Sequence, residues 1–341
     1  MAGLFQTLNG SEQGLHVDKL LDQILKSRGV PRDFIYQRAF NGVGVNKMTD
    51  LIARISPDND LAMYQATPAG LDGKIDRVSF NVTSPIRYNL QVFALEGVIS
   101  NIHGTASDPI FDYAERQGQY PVDRLDMRLE YAGTVQTLRN AAVMTQNTTL
   151  PAAQKWSNRG SPDSNPIDDL LTWVRFVREQ SMREITLIAM AAPVWQEIVQ
   201  HPTTLARADV TTWRVLTPEA LEKILDVPAG TIYIDKTGIY NAPGLTGTTA
   251  RRYFMGPDVV ILASAPPSRA DYSFGHMYYL GGSGEKPIVT LRYPEWNIVR
   301  FGEVVQTSAI VHFLVEAAEA AFVAFSVVDP ALARFNGLLS S

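Results

Sequence analysis

The chain has 341 residues, 45% of them apolar and 19% charged, with a formal net charge of −5 and no cysteine. Length and apolar fraction point to a packed protein of two or three domains at roughly 100–200 residues each, or one large one, and the scattered Lys and Arg of a mildly acidic chain argue against gripping nucleic acid through a basic face. The missing thiols exclude disulfides, thiolate zinc sites and cysteine nucleophiles, and the N-terminal MAGLFQTLNGSEQG lacks the basic and apolar regions of a secretory signal.

Residues 15–28 (LHVDKLLDQILKSR) space Leu15, Leu20, Leu21, Ile24 and Leu25 along one helical face, and Gly29-Val30-Pro31 stops the pattern. The next forty or so residues, through NGVGVN, SPDND and TPAG, are dense in turn formers and read as an extended arm. NGVGVN itself reads as a turn, because it lacks the third glycine and the flanking strand and helix of a dinucleotide loop. Over residues 74–98 the pattern alternates: Ile75, Val78, Phe80 and Val82, a break at Ser84-Pro85, then Tyr88, Leu90, Val92 and Phe93. This predicts a long hairpin, and since a two-stranded ribbon is marginal by itself it should lie against something else.

Asp108-Pro109-Ile110 opens a helical region, and after Pro121 residues 122–146 keep Leu125, Leu129, Ala132, Val135, Leu138 and Val143 near one stripe. A helix of about 20 residues would be roughly 30 Å long, a candidate spine. Residues 155–171 (KWSNRGSPDSNPIDDLL) then hold three aspartates, Asp163, Asp168 and Asp169. A calcium loop is broken there by Pro166. A helix start explains more: Asn165 as N-cap, Pro166 at the first helical position, and Asp168 and Asp169 on the positive end of the helix dipole. On that reading, replacing both aspartates by Ala costs roughly 1 kcal/mol.

All five tryptophans lie beyond residue 155, which locates the denser core. Helices are predicted at 166–180, 193–200 and 218–225 and strands at 185–189, 231–234 and 259–263, an α+β or α/β pattern. Residues 265–294 read as an irregular lobe followed by a strand return. Residues 309–328 have the length of a membrane span but contain Glu316 and Glu319, each costing roughly 2–3 kcal/mol in hydrocarbon, so two buried strands with an acidic turn fit better.

Chemistry-bearing motifs are weak. GGSGEKP at 281–287 has Pro287 where a phosphate loop needs Ser or Thr after Lys286. His16, His103, His201, His276 and His312 show no metal-ligand spacing, and there is no GxSxG elbow. Neither a cofactor nor a metal is implied. Carboxylates such as Asp163, Asp168 and Glu197 could serve a hydrolase as acid and base, though nothing in the sequence pairs them.

The collinear series of elements resembles the major capsid proteins of tailed phages, the Hong Kong 97 type of shell subunit. It is carried by an arm, a hairpin over about 70–100, a spine over 108–146, and Trp156 followed by Asn165-Pro166-Ile167-Asp168-Asp169. Residues 185–202 (ITLIAMAAPVWQEIVQHP) add a strand, a small-residue turn and a helix ending near His-Pro, and Thr217-Pro218-Glu219-Ala220-Leu221 with Ile224-Leu225-Asp226-Val227 resembles a later helix. The resemblance implies an α+β fold with an N-terminal arm (1–50), an extended loop and the start of a peripheral domain (51–107), a peripheral domain with the spine (108–164), an axial domain (165–300) and a peripheral return with a C-terminal tail (301–341). It further implies a non-enzymatic subunit that assembles into hexamers and pentamers of an icosahedral shell enclosing double-stranded DNA without sequence-specific binding. The implied partners are a portal, a separate scaffolding protein, since the first helix begins too early to leave room for a cleaved segment, and a decoration protein where one binds. There is no membrane partner, and the setting is a virion assembled in host cytoplasm.

Inter-subunit contacts are expected at Leu20, Leu21, Lys74, Arg77, Phe80, Arg87 and Tyr88, and a structural joint and helix cap at Trp156, Asn165, Pro166, Asp168 and Asp169. Deleting residues 71–100 should then leave a soluble chain that forms no shells. An encapsulin-like bacterial compartment shell of the same fold, and the carboxylate hydrolase, stand as alternatives.

Overall fold

The computed structural model describes residues 34–54, 83–100, 113–207, 216–236, 238–241, 251–265, 273–281, 287–297 and 300–329. The helix expected at 15–28, the first hairpin strand and the glycine-rich 282–286 lie outside them.

After a short helix, α1 (Ile35–Ala39), come strands β1 (Asn41–Val45), β2 (Thr49–Arg54), β3 (Thr83–Asn89) and β4 (Gln91–Ser100). NGVGV is thus a strand and not a turn. It pairs in parallel with β11 (Gly275–Leu280), Asn41 opposite His276 through Val45 opposite Leu280. A Cβ on Gly42 would come within 3.3 Å of the Tyr279 ring, so the glycine admits that ring.

The expected hairpin is redrawn as well. Ser84-Pro85 lies inside β3 and the break falls at Leu90, after which the two strands go to different partners. β3 pairs with β2 in a two-stranded ribbon, whose register shifts between Ile52 and Arg54, opposite the stretch that holds Pro85. A residue without an N–H is tolerated at such an edge and bulge. β4 instead pairs along its whole length with β13 (Arg300–Val315).

The spine is helical from Tyr113 to Leu138. Helix α2 (Tyr113–Glu130) runs through Pro121 instead of starting after it, and continues as π-helical turns over Tyr131–Leu138. The helix therefore ends eight residues before the expected 146. Leu125, Leu129, Ala132 and Leu138 are buried, as the stripe requires. They pack onto one face of a sheet ordered β1-β11-β13-β12, with β12 at Ile288–Asn297 and β4 also on β13. The expected irregular lobe thus contains two strands of this sheet.

The second sheet is ordered β5-β14-β10-β6-β7, from β5 (Asn147–Thr149), β6 (Leu187–Ala191), β7 (Ile232–Asp235), β10 (Val260–Ala263) and β14 (Ala321–Phe325). Its central strands β6 and β10 are buried on both faces, which is why LIAMA reads as an unbroken apolar run. Leu187, Ala189 and Ala191 enter the core shared with the spine. Ile188 and Met190 enter a second core beneath α3 (Pro166–Ser181), α4 (Ala192–Gln200) and α6 (Pro218–Leu225). Helix α5 (Pro202–Arg207) follows α4 directly, and a small ribbon of β8 (Ile239–Asn241) and β9 (Arg251–Tyr253) completes the elements. The chain crosses between the sheets twice near its end: β11 to β13 serve the first sheet and β14 returns to the second, with an acidic turn at residues 316–320 between them.

Candidate assembly surface

Trp156 and the start of α3 form one node. The indole is fully buried, stacks on Trp173 with ring centroids 5.7 Å apart and donates its Nε1–H to Asp169 Oδ2 at 2.8 Å. Its backbone N–H donates to the Val327 carbonyl at 2.8 Å, tying the joint to the segment after β14. Asn165 Oδ1 accepts the Asp168 N–H at 3.4 Å, Pro166 opens the helix, and Asp168 Oδ1 takes an ion pair from Arg207 at 2.7 Å. Burial pushes the Asp169 carboxyl above the usual carboxylate range; the Trp156 N–H opposes the shift and the Asp168 charge adds to it. The two aspartates therefore have different tasks, Asp168 at the exposed helix end and Asp169 against the buried indole. Counting only the helix end understates the loss of both.

Of the expected contact residues, Leu20, Leu21, Lys74, Arg77 and Phe80 lie outside the described residues. Arg87 is exposed on β3, opposite Leu51, which is 62% exposed. Tyr88 is corrected to an internal residue: it stacks on Tyr278 at 5.2 Å and donates its hydroxyl to the Lys47 carbonyl at 3.2 Å. Alternation along β3 turns Tyr88 inward and Arg87 outward.

The first sheet offers an open face on the side away from the spine. At the β11 end Tyr88, Leu90, Met48 and Ile52 cover it. Farther along, Val92 pairs with Ile310, and Ala94 and Val289 flank Ser308. Val92 is 61% and Val289 38% exposed. Contiguous apolar exposure of this kind marks an interaction surface more often than a lone exposed residue does.

The polar clusters near the joint are structural in geometry. Ser164 donates its hydroxyl to the Lys155 carbonyl at 2.9 Å, so it accepts from His201 Nε2–H at 3.1 Å, and His201 Nδ1 accepts from the Thr203 hydroxyl at 2.6 Å. That is the reverse of a serine handing its proton to a base. Glu197 is held by Arg159 at 2.9 Å and Asp168 by Arg207, so neither is positioned by a second carboxylate; Asp163 is exposed. Among the described residues no group of three His, Asp or Glu could hold a metal, and no helix is long and apolar enough to cross a membrane.

Sequence reasoning missed a contact between α1 and the spine, in which Glu130 and Asp126 meet Tyr36. The available signal was a pair of carboxylates four residues apart, each directly after a buried leucine of the stripe, Leu125 and Leu129.

No protein-family profile and no curated protein matches the chain. Solved structures match it in fold. A phage-related protein from Bordetella bronchiseptica RB50 superposes with a TM-score of 0.69 at 17% identity, over 92% of this chain and 99% of that one. The capsid structure of cyanophage P-SCSP1u gives 0.55 at 8% identity, over 88% and 90%. The virus-like particle from Pyrococcus furiosus gives 0.54 at 9% identity, over 89% and 97%.

Proposed function

We propose that this chain, which has the Hong Kong 97-type fold of phage capsid proteins, is the major capsid protein of a tailed bacteriophage, assembling into hexamers and pentamers of an icosahedral shell around double-stranded DNA. The observation that carries the reading is the end-to-end fold correspondence with the Bordetella phage-related protein, over 92% of one chain and 99% of the other. On this reading the first sheet with the spine is the peripheral domain, the second sheet with its helices is the axial domain, and Trp156 is the joint between them. The shell subunit has no catalytic role. A mildly acidic container encloses DNA without holding it tightly. The portal, a separate scaffolding protein and, where one binds, a decoration protein would be its partners, in a virion assembled in host cytoplasm.

The open sheet face and the β2-β3 ribbon then have a reason. A neighbouring subunit covers them, and the intersubunit area per chain should exceed a standard interface of about 1,600 Å². The deletion of 71–100 must be narrowed to test this, because 91–100 is a strand of the first sheet. Arg54 lies opposite Thr83, so a short Gly-Ser turn in place of residues 56–81 closes the ribbon and spares the sheet. The full chain should sediment as megadalton particles and the replaced chain as folded small species. Particles of unchanged size from the replaced chain would defeat the reading.

A compartment shell of the same fold is the second reading, because the fold by itself, matched at TM-scores of 0.55 and 0.54 by the cyanophage capsid and the Pyrococcus virus-like particle, does not distinguish one cargo from another. Nucleic acid or enzyme inside particles recovered from the native host separates the two.

A further inference from the structure

Residues 34–40 meet the spine over a buried carboxylate. Glu130 is 1% exposed where α2 passes into its π-helical turns. Its Oε2 accepts the Tyr36 N–H at 3.1 Å, satisfying a first-turn donor of α1 from 94 residues away, and its Oε1 accepts the Thr134 hydroxyl at 2.8 Å. One turn back, Asp126 Oδ1 accepts the Tyr36 hydroxyl at 3.4 Å. Tyr36 also lies edge-on to Phe313 at 5.8 Å. A Cβ on Gly133 would fall 2.8 Å from Tyr36 Cβ, so the helix and Tyr36 are in full contact there. One stretch of helix, residues 126–134, thus holds Tyr36 by its backbone N–H, its Cβ and its hydroxyl, while Phe313 of β13 meets its ring.

We propose that the seating of residues 34–40 on the spine is proton-linked, Glu130 and Asp126 acting as a latch that tightens when they take up protons from solvent and loosens when both are ionised. The surroundings explain the direction. Burial pushes the Glu130 carboxyl up to about 7, the Asp235 charge of β7 adding to the rise while the Tyr36 and Thr134 hydrogen bonds oppose it. Burial likewise pushes Asp126 up to about 6, with the Asp123 charge adding and the Tyr36 hydroxyl opposing. The arginines of the two segments lie over rings, Arg38 of α1 over Tyr233 at 4.8 Å and Arg128 of α2 over Phe93 and Tyr131 at 5.5 and 5.3 Å. From β4 and β13 the stretch meets Phe93, Ala309, Val311 and Phe313, which carry no charge. A carboxyl whose pKa is raised when seated binds more protons in the seated state than in the open one. Its contribution is complete below the open-state value and disappears as pH rises through the seated one.

The latch belongs to the single subunit and does not depend on the shell reading. Its test is hydrogen exchange on the purified, unassembled full chain at about pH 5.5 and about pH 8, as protection factors corrected for intrinsic exchange. Amides of residues 36–40 should gain roughly tenfold or more in protection at the lower pH, while amides of α6 serve as the control. Glu130→Gln keeps an acceptor without a titrating proton and should remove most of that gain; Asp126→Asn should remove a smaller part. Equal protection of residues 36–40 at both pH values in the unmodified chain would overturn the latch, as would a Glu130→Gln chain that keeps the full gain.

Discussion

Trp156→Ala removes a fully buried indole that stacks on Trp173, which in turn packs against Phe322 of β14 at 5.6 Å. A buried Trp→Ala change costs about 3–5 kcal/mol from lost transfer and the cavity left behind. It also strands the Asp169 carboxylate, whose 2.8 Å donor is gone, for about 1–3 kcal/mol more. The sum, about 4–8 kcal/mol, is comparable to the whole stability of a domain at about 5–15 kcal/mol. Trp156→Phe separates the parts, because a ring remains against Trp173 and only the N–H is lost together with a little volume. That change should cost about 1–3 kcal/mol, and combined with Asp169→Ala it should cost less than the two single changes added together. Urea unfolding of the unassembled subunit, followed by far-ultraviolet circular dichroism at constant m, gives these differences. A Trp156→Ala loss below about 1 kcal/mol, or full additivity of Trp156→Phe with Asp169→Ala, would refute the joint as described.

Gly133→Ala should destabilise the subunit by about 1–3 kcal/mol in the same assay, because the new methyl meets Tyr36 Cβ and the Phe313 ring, at 3.1 Å from Cε1, with no flexible end to yield. Asp169→Ala should cost more than Asp168→Ala, which keeps the backbone N–H bound by Asn165 and loses a charge at the helix end and an exposed ion pair of at most about 1 kcal/mol; equal losses would return both residues to a dipole role. Burial and the Arg159 charge push His201 below its ordinary value, with Glu197 opposing. The unfolded chain therefore binds more protons than the folded one between that lowered value and 6.5, and stability falls as pH drops through this window. The latch carboxylates act in the opposite sense, so the measured quantity is the difference in pH slope between the unmodified chain and His201→Gln, which should have lost this fall.

Elements set by nearby residues could be read directly. Helix α6 starts where Thr217 accepts the Ala220 N–H, and α3 starts where Asn165 accepts the Asp168 N–H, both from short-range rules. Helix α2 and β1 were misjudged because distant partners decide them. A buried Pro121 is carried through a helix whose far side packs on the first sheet, and glycine-rich NGVGV becomes a strand only because β11, more than 200 residues later, supplies its ladder. The same limit applies to the joint. Its helix start was visible in residues 165–169, but the Trp156 to Asp169 hydrogen bond depends on the loop folding back, and the Tyr36 to Glu130 contact spans most of a domain. Tyr88 was expected at a subunit contact because alternation fixes the period of a strand and not which surface its apolar face meets.

Electron microscopy of the purified full-length chain bears most directly on the assembly claim. Closed icosahedral shells whose vertices are rings of five and whose faces are rings of six, with the first sheet's open face covered by a neighbour, are expected. A discrete monomer that stays monomeric at high concentration, with Val92 and Val289 left in solvent, would contradict it.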